Sequence, residues 1–430
     1  MNIWLATIGE PVPLDTGAAD RLHRTGFFAQ FLANQGHKVV WWTSAFDHFR
    51  KRHLAKTDTT AHLNQNLRVR MLRGRGYSRN VSVSRLRDHA EIARKFASEA
   101  PQAITEEKRP DVIVAALPCL NLSAASADFG RRHNIPVVLD MRDMWPDIFV
   151  DTAPSPLRPL ARTLLQPMFC QARRACAQAT AITGITDAFV NWGIARGRRR
   201  RTHLDRAFPL GYSAEAPSAD AISTAEEAWD RMGIGENGPF TVCYFGNMSR
   251  QLDLMHVIDA AREIEMRGMP IRFVLCGDGE RLEEYRRAAA GLHNVTLPGW
   301  ADHAAIYTLM RRAHAGLDPL PNRYDFLATV NNKAIEYMSA GLPVISSPRH
   351  GVLRELLERR GCGFSYGAGD ALALADTLCI VSRNPDSCAG MRRASEALFH
   401  EQFMAETVCA SMESHLERIV RQSQGVPHWN

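Results

Sequence analysis

Short apolar runs alternate with amphipathic helical stretches from one end of the chain to the other. Strands are predicted over Ile3–Thr7, Val39–Trp42, Val69–Leu72, Val112–Ala116, Val137–Asp140 and Ala181–Thr183. A second set follows over Thr241–Phe245, Arg272–Cys276, Val295–Pro298, Ala315–Asp318 and Val344–Ser346. Between them the apolar positions take helical spacing, as in Phe28, Phe31 and Leu32, closed by Gly36. Val257, Ile258, Ala261 and Ile264, closed by Gly268, repeat the pattern. Strands separated by helices imply parallel sheets in a doubly wound α/β architecture.

The series restarts after a stretch rich in Ala, Ser, Glu and Gly that lacks strand signal, so two Rossmann-like halves are expected. Residues 1–210 form the first, 211–238 the connection with one short helix around Glu226–Met232, and 239–394 the second. The final helices, 395–430, are expected to pack back toward the first half. In such an architecture the ligand sits in a cleft beyond the carboxyl ends of the strands.

The length fits two domains, since single cores stop growing near about 300 residues and this chain has 430. Forty-five per cent apolar and 23% charged residues exclude a disordered or fibrous chain. No apolar run approaches the ~20 residues that span a bilayer, and the first residues read as a strand rather than a leader, so a soluble, cytosolic protein is expected. The nine cysteines include no C-x-x-C pair, and the sixteen histidines show no H-x-x-x-H spacing. Buried thiols are expected, with no structural metal and no cofactor.

Val330–Ser346, VNNKAIEYMSAGLPVIS, carries the most chemistry. It reads as a helix opened by Asn331 and Asn332 and closed by Gly341, running into a strand. Free backbone N–H groups and the positive dipole end at such a start make an anion site. Glu336 lies one to two turns in, where a carboxylate can reach hydroxyls beyond a bound phosphate. PLPN…VNNKAIEYMSAGLPVISS resembles the nucleotide-sugar segment of glycosyltransferase family four, whose members have the GT-B fold. Tyr244–Ala261, Phe273–Glu280, Asn294–Trp300 and Ala313–Pro321 resemble successive strands of its second domain, in order. Gly9–Ser44, Val137–Asp147 and Ala181–Phe189 resemble pieces of its first.

The resemblance implies two domains facing a central cleft: 1–210 for the acceptor and 239–394 for the nucleotide sugar. It implies that Glu336 holds the ribose, that backbone at Asn331, Asn332 and Lys333 cradles the diphosphate, and that Arg250, after Gly246 and Asn247, neutralises it together with Lys333. Gly17 and Gly277 would let backbone approach the donor. Two positions depart from the family pattern. Ala328 stands where many members have a first glutamate, leaving Asp325 or the backbone near Thr329 to meet the sugar. Arg142-Asp143 stands where much of the family has His-Asp, so Asp143 would orient the acceptor hydroxyl beside Arg142, which cannot act as a base. Both departures resemble the branch that moves acetamido or deoxy sugars into bacterial surface polysaccharides.

The family implies a retaining, metal-independent hexosyl- or acetamidohexosyltransferase, taking a sugar from a nucleoside diphosphate, UDP by base rate, to a lipid-linked or polysaccharide acceptor. Arg196, Arg198, Arg199, Arg200 and Arg201, in a chain of net charge +6, suit an anionic membrane surface, so a peripheral location on the inner face of the cell membrane is expected. Trp41 and Trp42 either join that face or, as paired strand tryptophans more often do, lie in the core. No recognition fold for nucleic acid accompanies the arginines. A non-transferring enzyme of the same fold, such as a UDP-sugar 2-epimerase, and a silent binding protein are the rivals. A nicotinamide oxidoreductase lacks its G-x-G-x-x-G after the first strand.

Overall fold

The computed structural model describes residues 1–14 and 22–425 and divides into two units. Residues 1–209 and 405–430 form the first, and 210–404 the second.

In the first unit eight strands run in the order Arg206–Ala207, Ala181–Gly184, Val137–Met141, Val112–Leu117, Asn2–Ala6, Lys38–Ser44, Leu67–Leu72, Thr59–His62. All neighbours are parallel except the hairpin edge strand Thr59–His62. Strands buried on both faces need apolar side chains on both, which is why the central ones read as continuous apolar runs. Trp41 and Trp42 are both fully buried, so they belong to the core and not to a membrane face. Trp42 meets Phe96 edge-on at 5.1 Å and Trp4 stacks on Phe129 at 5.7 Å. A fully buried side chain of this size contributes about 3 kcal/mol.

The second unit has six parallel strands in the order Val295–Gly299, Ile271–Cys276, Phe240–Phe245, Ala315–Pro319, Val344–Ser347, Gly363–Ser365. Numbered along the chain this is 3-2-1-4-5-6, with its switch point between Phe240–Phe245 and Ala315–Pro319.

Two boundaries differ from the sequence reading. The stretch read as a connection belongs to the second unit, because its helix is longer than expected, Ala219–Arg231, and well anchored. Ser218 caps it, and the indole of buried Trp229 donates to Thr308 at 3.0 Å. At the other end, Pro385–Leu398 and the turn Phe399–Phe403 stay in the second unit, where Tyr212 N–H donates to the Phe403 carbonyl at 2.9 Å. The chain rejoins the first unit only at Ala405. Helix Ala405–Ser423 then buries Val408, Met412, Leu416 and Ile419 against the core that holds Phe28 and Leu32.

Candidate active site

The candidate site of the second unit lies at its switch point. Strand Phe240–Phe245 ends in Gly246, and strand Ile271–Cys276 ends in Gly277 and Gly279. These two loops touch through backbone. A Cβ on Gly277 would lie 2.0 Å from the Gly246 carbonyl oxygen, and one on Gly279 would lie 2.6 Å from that of Met248. No side chain fits there, and Met248 N–H donates to the Asp278 carbonyl at 2.9 Å to lock the pair. Gly277→Ala is therefore expected to lose about 3 kcal/mol of stability, which urea unfolding followed by tryptophan fluorescence would register.

Across the switch point, helix Asn332–Ser339 starts beside Gly246, whose Cβ position would lie 3.5 Å from Lys333 Cδ. Asn331 caps this helix, its Oδ1 accepting from Ala334 N–H at 3.2 Å. Its Nδ2 donates to Oδ2 of Asp318, a fully buried carboxylate at the end of strand Ala315–Pro319. Lys333 Nζ lies 3.8 Å from the other oxygen, Oδ1, which accepts no hydrogen bond among the described residues. Burial raises the Asp318 carboxyl above its ordinary value, and Lys333 and Asn331 offset only part of that. The ammonium is thus aimed by a buried acid and stands over Tyr244, 5.9 Å from the ring centroid.

Sequence reading missed Asp318 and Tyr244. The available signal was an acid inside an otherwise apolar strand, AHAGLDPLP. Glu336 is buried, 4% exposed, on the second turn of the same helix. Asn332 is exposed at the helix start, and Asn247 is exposed just after Gly246. Arg250 stands in the same loop with 86% of its side chain accessible, 3.6 Å from Glu280. Ala328 is buried, and Asp325 is held by Arg323 through two bonds of 2.6 and 2.7 Å.

In the first unit the corresponding strand ends carry a buried ionic cluster. Asp140, fully buried, accepts from Arg24 Nε at 2.9 Å, Arg142 Nε at 2.7 Å and Thr183 Oγ1 at 2.9 Å. Burial alone would raise its carboxyl, but the Arg24 and Arg142 guanidiniums outweigh that and hold it well below the carboxylate range. Arg142 also bonds Glu10 and Thr25, so its guanidinium is engaged on three sides. Asp143, next in the chain, accepts from Met144 N–H at 2.8 Å. Gly17 lies outside the described residues.

A cavity of about 330 Å³ opens beside Glu10, lined by His23, Phe46, Asp47, Phe49 and Arg50. Beyond the same strand ends, His48 Nδ1 meets the Tyr77 hydroxyl at 2.6 Å, and Arg85 lies 4.7 Å from the Trp145 ring. Burial, then Arg85 and Lys51, push the His48 imidazole down to about 4, so it is neutral at pH 7. Sequence reading missed this aromatic and basic group because its members come from four separate segments. A larger cavity, about 510 Å³, lies at the other end of helix Asn332–Ser339, lined by Tyr212, Tyr307, Arg311, Gly341 and Arg392.

The arginine run is less open than its spacing suggests. Arg196 pairs with Asp147 at 2.5 Å, Arg199 with Asp205 at 3.0 Å and Arg201 with Asp187 at 2.5 Å. Arg198 and Arg200 are exposed. Three of the five thus hold loops of the fold together. Among the described residues one group, His37, Glu413 and Glu417, brings three ligand-type atoms within 4.8 Å. His37 already bonds Glu413 at 2.7 Å, and Glu417 pairs with Arg421 at 2.9 Å.

Family models match both units. A model described as "Glycosyl transferase 4-like domain" matches residues 23–204, and one described as "Glycosyl transferases group 1" matches residues 239–384. Alpha-D-kanosaminyltransferase of Streptomyces kanamyceticus is 30% identical over 186 residues, 42% of this chain and 45% of that protein. The match therefore spans under half of that relative's length. Sucrose-phosphate synthase from Thermosynechococcus elongatus superposes with a TM-score of 0.72 at 16% identity, over 98% of this chain and 99% of that one. Anabaena Alr3699/HepE, solved in complex with UDP and glucose, gives 0.65 at 18% identity, over 97% and 99%. At such identities the solved structures speak for the fold. With one model on each unit and this fold throughout, the chain belongs to the glycosyltransferase family of group 1 and 4-like domains, of GT-B fold.

Proposed function

We propose that this protein is a retaining, metal-independent glycosyltransferase. It takes a hexosyl or acetamidohexosyl group from a UDP-linked donor to a lipid-linked or polysaccharide acceptor, in surface-glycan synthesis at the inner face of the cell membrane. The observation that carries the reading is the Lys333 ammonium, aimed by buried Asp318 and Asn331 at a glycine-lined switch point. A diphosphate there meets the helix N-terminus, the Lys333 charge and a backbone surface that no Cβ obstructs. The UDP complex of the solved Anabaena relative supports a nucleotide donor at such a fold.

In this reading Glu336 accepts from the ribose, and Gly246, Asn247 and Gly277 let backbone meet the donor. Arg250 swings from Glu280 onto the diphosphate, doing with Lys333 what a divalent cation does elsewhere. The bond from the anomeric carbon to the diphosphate oxygen breaks as the acceptor oxygen attacks the same face. The departing phosphate oxygen takes the acceptor proton, so no protein nucleophile is needed. Asp143 orients the acceptor hydroxyl, and Arg142, fixed by Asp140 and Glu10, positions that loop. The aromatic and charged cavity beside Glu10 suits a sugar-bearing acceptor.

The test is a thermal-shift panel of UDP, GDP, ADP, CMP and NAD with EDTA throughout. A ligand at 100 times its Kd adds about 2.7 kcal/mol, enough to raise Tm by several degrees. Selective stabilisation by one nucleoside diphosphate is expected. No shift with any diphosphate would favour a silent binding protein.

A further inference from the structure

We infer that the segment Ser155–Leu164 and the arginine-lined pocket behind it form a docking surface for an anionic phospholipid bilayer. This deepens, and rests on, the membrane-side reading above, and of the arginine run it keeps only Arg196 and Arg198, which line the pocket. The turn Ser155–Leu157 and helix Arg158–Leu164 bury none of their residues. A helix in a folded protein is normally held by an apolar face turned inward. Here the apolar face is turned out. Leu157, Leu160 and Leu164, spaced three and four apart on one side, are 51%, 57% and 71% exposed.

Charge accompanies the leucines. From Asp151 to Asp187 the chain holds no intervening acid, while Arg158, Arg162, Arg173 and Arg174 lie between. A pocket of about 220 Å³ lies against the next helix, Gln166–Gln178, lined by Arg162, Gln166, Cys170, Arg173, Arg196 and Arg198. Arg196 has its Asp147 partner. Among the described residues Arg162, Arg173 and Arg198 make no ion pair, and Phe169 holds Arg162 and Arg196 at 5.3 and 4.8 Å from its ring. Three uncompensated guanidiniums beside three outward leucines match a phosphate headgroup layer over an acyl boundary. Arg174 pairs with Asp128 at 2.7 Å, so with Arg196 two of the arginines are neutralised while Arg162, Arg173 and Arg198 leave the surface net cationic. A second copy of this chain would bring two such surfaces together, and like charge opposes self-association there. No described helix is long and apolar enough to cross a membrane, so the contact is interfacial.

Flotation of the full chain with phosphatidylcholine vesicles, with and without phosphatidylglycerol, tests the assignment. Binding only to the anionic vesicles, weakened by salt, is expected. The variant Leu157→Ser/Leu160→Ser/Leu164→Ser, and separately Arg162→Ser/Arg173→Ser, should each bind about tenfold more weakly or worse. These side chains are exposed, so melting and the UDP shift should stay at wild-type values. That shift reads the donor assignment independently of the membrane one. Cys170 is the exposed cysteine of the nine and sits in the pocket, so maleimide should label it more slowly when anionic vesicles are present. Equal binding by the leucine variant, unprotected Cys170, or a dimer that the leucine substitutions dissolve would each overturn the proposal.

Discussion

Lys333→Ala is expected to lower kcat by about a hundredfold or more, with a smaller rise in KM for the nucleotide sugar, as seen in a coupled nucleotide-release assay. Removing one pre-aimed electrostatic group from a site where charge develops commonly costs that much. The structure makes the aim specific, because the ammonium is held 3.8 Å from a buried carboxylate and not in solvent. The same substitution strips Asp318 of its cation. Its carboxyl, already raised by burial, then rises further and takes up a proton. An acid whose folded value lies above its unfolded one costs stability once pH passes the unfolded value, and the full cost appears above the folded value. Lys333→Ala should therefore lose stability as pH rises past the ordinary carboxylate range. The double variant Lys333→Ala/Asp318→Asn should lose that slope without regaining turnover. A flat pH profile in the single variant would mean that Asp318 does not aim the lysine. Glu336→Ala should also lose most turnover, since no other carboxylate in the segment could take over ribose contact; near-wild-type activity would sink that role.

Asp140→Asn is expected to destabilise the first unit by about 3 kcal/mol, because it leaves the half-buried Arg24 and Arg142 around a buried neutral amide. In a unit of this size that lowers Tm by about 10 °C. The sign with pH follows from the depressed carboxyl. Its contribution is present above the unfolded value near about 4 and is lost as pH falls below it. The wild type should therefore lose stability in acid more steeply than the variant, and the two should converge at low pH. Circular dichroism melts from neutral to acid pH would show this convergence. Parallel curves would mean that the arginines answer chiefly to Glu10.

What could be read from the chain was whatever depends on neighbours in sequence. Apolar runs between turn residues gave the strands on both sides of each switch point, and Gly246, Gly277 and Gly341 announced their tight turns. Short edge strands such as Gly363–Ser365 escaped, because three residues carry too little pattern. Helix Ala219–Arg231 was read short, since alanines and a single Trp229 gave little periodicity until Thr308 supplied a partner 79 residues away. The family pattern supplied Lys333 and Glu336 as candidate site residues.

Charge is where the sequence alone went astray. Five arginines within six residues look like a free cationic patch, but Asp147, Asp187 and Asp205 reach three of them from outside the run. Arg142 was read at the acceptor site without its Asp140 and Glu10 partners, and Asp318 was not singled out at all; folding ties the first to that acidic pair and buries the second beside Asn331 and Lys333. The leucines at 157, 160 and 164 drew no attention, because outward and inward leucines have the same sequence signature. Local backbone preference and hydrophobic spacing determined the two parallel-sheet units and where their loops turn. Which charges are neutralised, which ammonium is aimed, and which apolar face is left in water was decided only by long-range contacts, since electrostatic and burial free energies depend on distance in space and not on separation along the chain.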